Sequence, residues 1–159
     1  MLSKSVLRSS WFLLGFFATT LLMMSCAGLT VIRTDPEAAQ ASEVINRSNH
    51  ILVVAQQAVH NRRVYTGDLA IAYAHEDYAR DLFQKNQFHN AIEHSLYARR
   101  LAYQTLQSNG VRYRRAVYVD EYHFISRGDQ SLNEEVRMMR PNAPTDDRAV
   151  VALNVNFKN

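Results

Sequence analysis

From Ala41 to Val59, small and apolar residues recur at steps of three and four: Ala41, Val44, Ile45, Ser48, Ile51, Leu52, Ala55, Ala58 and Val59. Those steps gather them on one helical face, and the pattern repeats at seven, as in antiparallel helical packing. Thr34-Asp35-Pro36-Glu37 is a start signal: Asp35 caps, Pro36 suits the first helical position, and Glu37 favours the positive end of the dipole. The spacing predicts a helix from Pro36 to about Arg62, with Glu43 and Arg47 paired on its wet side. At 1.5 Å per residue such a rod is roughly 40 Å long.

Tyr65-Thr66-Gly67-Asp68 interrupts the pattern. A second helix is predicted from about Asp68 to Lys85, with Ile71, Ala74, His75, Tyr78, Ala79 and Leu82 as its buried stripe and Phe83 beside it. Glu76/Arg80 and Asp81/Lys85 are well-oriented i,i+4 pairs. After the polar turn Asn86-Gln87, a third helix carries Phe88, Ala91, Ile92, Ser95, Ala98, Ala102 and Leu106, and stops at Asn109-Gly110. So short a link makes the second and third helices an antiparallel hairpin.

Past Gly110 the signals change. Residues Val111 to Val119 are rich in β-branched and aromatic side chains of ambiguous period. Ser131-Leu132-Asn133-Glu134 fits a capping box and predicts a short helix to about Met139, followed by a loop at Arg140-Pro141-Asn142-Ala143-Pro144. Leu153, Val155 and Phe157 alternate with polar residues, as in a half-buried strand that would pair with the Val111–Val119 segment. The expected fold is mainly α: a long N-terminal helix plus an antiparallel helical hairpin over 36–109, and a C-terminal extension over 110–159 of mixed strand, helix and loop.

Ahead of the first helix, Lys4 and Arg8 precede the apolar run Trp11–Met24, which leads into Ser25-Cys26-Ala27. A positive start, an apolar middle and a small-residue exit make a secretory signal peptide. Cys26 is the only cysteine in 159 residues, so no internal disulfide can form. The segment resembles the signal of a bacterial lipoprotein, in which a small residue precedes the cysteine that is acylated and becomes the mature N-terminus. Met23 and Met24 depart from it, standing where that family usually has Leu and a small residue. The resemblance implies a signal peptide over 1–25, a covalent lipid on Cys26 as the sole added group, and a lipidated linker over 26–35. Asp after the cysteine retains such proteins in the inner membrane; Ala27 stands here instead, which implies the outer membrane, facing the periplasm. Each buried methylene of the lipid adds about 0.8 kcal/mol of membrane affinity. Two other readings stay open. One is ordinary cleavage after Ala27, at a small-x-small site. The other is an uncleaved inner-membrane anchor over 11–32, an uncharged run of 22 residues that is long enough to span a bilayer.

Charge follows from that choice. Loss of residues 1–25 removes Lys4 and Arg8, so 18 basic residues become 16 against 15 acidic ones, and the formal balance drops from +3 to +1. A general attraction to nucleic acid is then unsupported. The remaining 134 residues suit one domain, held by apolar packing alone.

The run Asn86-Gln87-Phe88-His89-Asn90-Ala91-Ile92-Glu93-His94-Ser95-Leu96-Tyr97-Ala98 resembles the second helix of a tetratricopeptide repeat. Ala91, Ser95 and Ala98 take its small positions, and Tyr78, Ala79 and Leu82 sit where the first repeat helix packs. The likeness covers about one repeat, Ala72 to Thr105. Asn86 replaces the turn glycine, the closing proline is missing, and no second copy is present, whereas a repeat array needs at least about three units. The chain also resembles short, uncharacterised helical lipoproteins of bacteria.

Chemical motifs are sparse. His89/Glu93 at i,i+4 is compatible with sharing an ion, but His89 and His94 stand about 140° apart round a helix. With no H-E-x-x-H, the spacing favours a solvated face and no metal site. His75, on the apolar stripe, reads as a hydrogen-bonded core histidine. Neither G-x-S-x-G nor a glycine-rich phosphate loop is present. The adjacent carboxylates Asp120-Glu121, Glu134-Glu135 and Asp146-Asp147 read as surface charge, and Arg127-Gly128-Asp129 as a turn.

The pattern therefore points away from an enzyme. It favours a lipid-anchored helical adaptor, or structural component, of a cell-envelope assembly. Its partners would be the membrane and an envelope protein, with no nucleic acid. Tyr73, Tyr97, Tyr103 and Tyr113 are candidate contact aromatics. The alternative is a binder of anionic lipid or peptidoglycan through Arg99, Arg100, Arg112, Arg114 and Arg115.

Overall fold

The computed structural model describes residues 35–113 and 124–152, all within one compact unit, Thr34–Asn159. Five helices follow in order: α1 Pro36–Arg62, α2 Asp68–Gln84, α3 Phe88–Ser108, α4 Asp129–Met139 and α5 Asp147–Ala152. The mainly helical fold is the one expected, with a long first helix beside an antiparallel hairpin. Among the described residues there is no strand, and no helix is long and apolar enough to cross a membrane. Cys26, the 1–25 signal, the 11–32 run and the Leu153–Phe157 strand lie outside the described residues. So does most of its proposed partner, of which only Val111–Tyr113 is described, as coil.

Local chemistry sets the ends of the first three helices. Asp35 Oδ1 accepts the Glu37 N–H at 3.0 Å, and α1 closes on Arg63 in the left-handed region, whose N–H donates to Val59 O at 2.8 Å. Asn86 also adopts a positive φ of 59°, which lets the α2–α3 turn form without glycine, since asparagine tolerates that region. Packing then follows from small residues. Ala41, Ala55, Ala91, Ala98 and Ala102 are all fully buried and allow α1 to lie close against the α2–α3 hairpin. Leu52, Leu69 and Leu106 form the centre of the core, closed by Leu132 from α4 and Val150 from α5.

Two features of the C-terminal part differ from expectation. Helix α4 begins at Asp129 behind Gly128, with no side-chain cap, so Ser131 and Glu134 lie exposed inside the helix and form no capping box. Asp147 is not surface charge. It is fully buried, and its Oδ2 accepts the N–H groups of Thr66 (2.8 Å) and Gly67 (2.9 Å) while Oδ1 accepts that of Ala70 (2.9 Å). Gly67, at φ 89°, leads α2 without a side chain to cap it. A carboxylate from a distant part of the chain therefore satisfies the open donors and complements the helix dipole.

Candidate functional site

Helix α3 is covered by α1, by its hairpin partner α2 and by the segment that runs from Phe124 into α4, so all nine residues from Ala91 to Arg99 are buried. Between α2, α3 and α4 lies a layer of polar groups. His75 and His94, both fully buried, meet Nδ1 to Nδ1 at 2.9 Å with their rings stacked. His75 Nε2 lies 3.0 Å from the Asn133 side-chain amide, which in turn meets the Tyr97 hydroxyl at 2.6 Å. His94 Nε2 faces Glu135 Oε2 at 3.5 Å, and the Tyr78 hydroxyl donates to Glu135 Oε1 at 2.8 Å.

One donor and one acceptor are required between the two imidazoles. If the Asn133 oxygen faces His75, the proton of His75 sits on Nε2, His94 donates from Nδ1, and a bare His94 Nε2 opposes the Glu135 carboxylate. Exchanging the two amide atoms reverses the chain. Tyr97 then donates to Asn133, Asn133 to His75 and His75 to His94, and the remaining His94 N–H faces the Glu135 carboxylate 3.5 Å away. The second arrangement is the favourable one. Burial lowers the pKa of both histidines, that of His75 to about 4, which keeps the pair neutral near pH 7.

The charge in this layer sits on Glu93, Glu135 and Arg127. Glu93 Oε1 accepts from the Ser126 N–H (2.8 Å), the Ser126 hydroxyl (2.7 Å) and the Arg127 N–H (3.1 Å), while Arg127 Nε donates to Glu93 Oε2 at 2.6 Å. Arg127 Nη1 also pairs with Glu135. Burial alone would raise both carboxyls. For Glu93 the hydrogen bonds from Ser126 and Arg127 outweigh it, and for Glu135 those of Tyr78, with His94 and Arg127, do the same; both stay below the usual value. A second polar cluster lies between α1 and α3, where the buried Arg99 donates to Ser48 Oγ (3.0 Å) and Val44 O (2.9 Å). Glu76 is fully buried as well, and neither of its oxygens makes a hydrogen bond of ordinary geometry among the described residues. Burial pushes its carboxyl up to about 8, against the pull of Ser95, Arg80 and Arg99.

Beside the histidine layer, α2, α4 and the loop from Arg140 to Thr145 enclose two adjoining cavities of about 410 and 460 Å³. The larger is lined by His75 and Asn133 together with Ile71, Val136 and Arg137, and the smaller by Tyr73, Asp77 and Met139. Among the described residues no group of three or more His, Cys, Asp or Glu is arranged to hold a metal ion.

The residues singled out from sequence are dispersed. Tyr73 and Tyr97 are buried; the Tyr73 hydroxyl donates to Gln56 at 3.0 Å, and Tyr97 belongs to the histidine layer. Arg99 is inside the α1–α3 interface, which removes it from any surface basic cluster. Arg100 lies over the Tyr97 ring at 4.7 Å and pairs with Asp129. Tyr103 and Tyr113 approach each other at 6.0 Å between ring centroids, and Arg112 is exposed. Arg114, Arg115 and the Asp120-Glu121 pair lie outside the described residues. His75 is the hydrogen-bonded core histidine that its position predicts. Glu93 and His94, expected on a solvated face, are buried, and so is Glu76; only His89 remains exposed there. Asp81 pairs with Arg140 at 2.6 Å, where a pair with Lys85 was expected. Sequence reasoning missed Arg127, Asn133 and Glu135. The available signal was Leu132 and Val136 at i,i+4 in a stretch that is otherwise polar from Asp129 to Arg137, a face that must cover something.

Comparison with protein-family models, with curated proteins and with solved structures gives no match.

Proposed function

We propose that this chain is a helical adaptor of the bacterial envelope, tethered at the outer membrane through Cys26, that docks a partner protein in the groove between α2, α4 and the Arg140–Thr145 loop. The observation that carries the reading is the division of labour between the two adjoining regions. Acid/base side chains that would suit catalysis (His75, His94, Glu93, Glu135 and Tyr78) are engaged with one another or with Arg127 and Asn133 in the buried layer. The groove beside them is walled mainly by apolar groups and fits binding better than chemistry. Buried polar networks of this kind fix a unique packing, here the seating of α4.

The test is photo-crosslinking of the full chain in its native envelope. A photoreactive residue at Ile71, on the groove, should capture a discrete envelope protein, and one at the exposed Gln57 on α1 should not. Equal capture from both positions, or none from Ile71 in a folded and membrane-bound protein, would remove the adaptor reading. Cys26→Ser should release the protein from the membrane fraction; retention at unchanged mass would remove the lipid tether.

A further inference from the structure

The two cavities share Ala74, Arg140, Pro141, Ala143 and Pro144 in their walls, so they form one depression divided by a loop. At about 410 and 460 Å³, each is larger than a single aliphatic side chain requires. One compact molecule would fill one chamber and leave the other wet. A flexible segment carrying more than one apolar side chain fills both. The rim agrees with such an occupant: Ile71 is 38% and Met139 60% exposed, and methionine adapts its shape to a docked partner.

Charge selects the partner further. Arg140 is already engaged, donating to Asp81 Oδ2 at 2.6 Å and to Asp77 O at 3.2 Å. The Arg137 side chain, exposed on the wall of the larger chamber, makes no hydrogen bond or ion pair among the described residues. An exposed guanidinium beside an apolar cavity is complementary to a carboxylate attached to an apolar body, and its planar fork can bind both oxygens.

We infer that the groove receives a peptide segment of an envelope protein in which apolar side chains stand next to an acidic one. The apolar groups enter the two chambers, and the carboxylate pairs with Arg137. The inference rests on the adaptor reading and adds the chemistry of the partner.

A random peptide library displayed on phage, selected against the full chain in detergent, tests it. Enriched peptides should carry Asp or Glu beside Leu, Ile, Phe or Met. Their binding should weaken at least about fivefold on Arg137→Glu, as expected when an ion pair becomes a like-charge contact. Ile71→Asp should weaken it too, and Arg62→Glu at the end of α1 should leave it unchanged. All three side chains are exposed, and circular dichroism should report an unaltered helix content. Peptides without acidic residues, insensitivity to Arg137→Glu, or an empty selection would each overturn the inference. So would binding to phosphatidylglycerol vesicles that Arg137→Glu abolishes, because it would assign the surface to lipid. If Ile71 still crosslinks to an envelope protein in any of these cases, the adaptor reading survives; if that capture fails as well, both fall.

Discussion

His75 and His94 share one proton between two Nδ1 atoms 2.9 Å apart, in the layer that joins α2 and α3 to α4. The contact needs one bare Nδ1, so at most one of the two rings can be cationic; two imidazolium rings would set N–H against N–H. Around the pair stand Tyr78 on α2, Glu93, Tyr97 and Arg100 on α3, Arg127 before α4, and Asn133 and Glu135 on it.

Acid should therefore weaken the fold. The folded pKa of His75 lies at about 4, below its usual 6.5, so its contribution is complete above pH 6.5 and is lost as the pH falls toward 4. The shift amounts to about 3 kcal/mol at pH 4. Urea unfolding at pH 7.5 and pH 4 checks it in the Glu76→Gln protein, which lacks the opposing slope of that buried carboxyl. In that background, adding His75→Gln and His94→Gln should flatten the profile, and equal acid slopes with and without the histidines would refute the assignment.

Glu76 gives the opposite slope. Its carboxyl pKa is raised to about 8 in the fold, so its stabilising state is the protonated one, complete below the unfolded value of 4.5 and lost as the pH rises through 8. Glu76→Gln should gain roughly 3 kcal/mol on wild type between pH 5 and pH 8. Between about pH 4.5 and pH 6.5 the two slopes oppose and nearly cancel, so together they leave stability flat there. A Glu76→Gln protein that loses stability with rising pH as steeply as wild type would exclude this carboxyl as the cause.

Removal of Arg127 leaves Glu93 and Glu135 without their shared cation. Arg127→Ala should cost about 3–5 kcal/mol, the usual penalty for stranding buried charge, and Glu135→Gln in the same protein should return part of it. Arg100→Ala, which breaks a more exposed pair with Asp129, should cost less than about 1 kcal/mol. Similar losses from the two arginines, by chemical denaturation, would contradict the buried layer.

Asp147→Ala should cost about 2–4 kcal/mol, because three N–H groups at the start of α2 lose their acceptor. Glu134→Ala, at an exposed position, should stay within about 0.5 kcal/mol of wild type. Amide exchange at Thr66, Gly67 and Ala70 should rise in the Asp147 variant alone. Unchanged protection there would show that the carboxylate does not hold this end of α2.

The sequence by itself determined α1, α2 and α3, to within about a residue at each end. The apolar steps from Ala41 to Val59, the Asp35-Pro36 start and the Asn86 turn are local signals, because helix periodicity and capping depend on neighbours within a few positions. Tertiary structure alone decided which charged groups are inside. A periodic stripe marks one buried face per helix, and it correctly named the face of α3 that meets α1. The opposite face became interior when residues from Phe124 to Met139 folded over it, and that burial turned Glu93, His94, Arg127 and Glu135 from apparent surface charge into one bonded layer. Asp147 capping α2 obeys the same rule: hydrogen bonds between residues some eighty positions apart leave no local pattern for sequence to reveal.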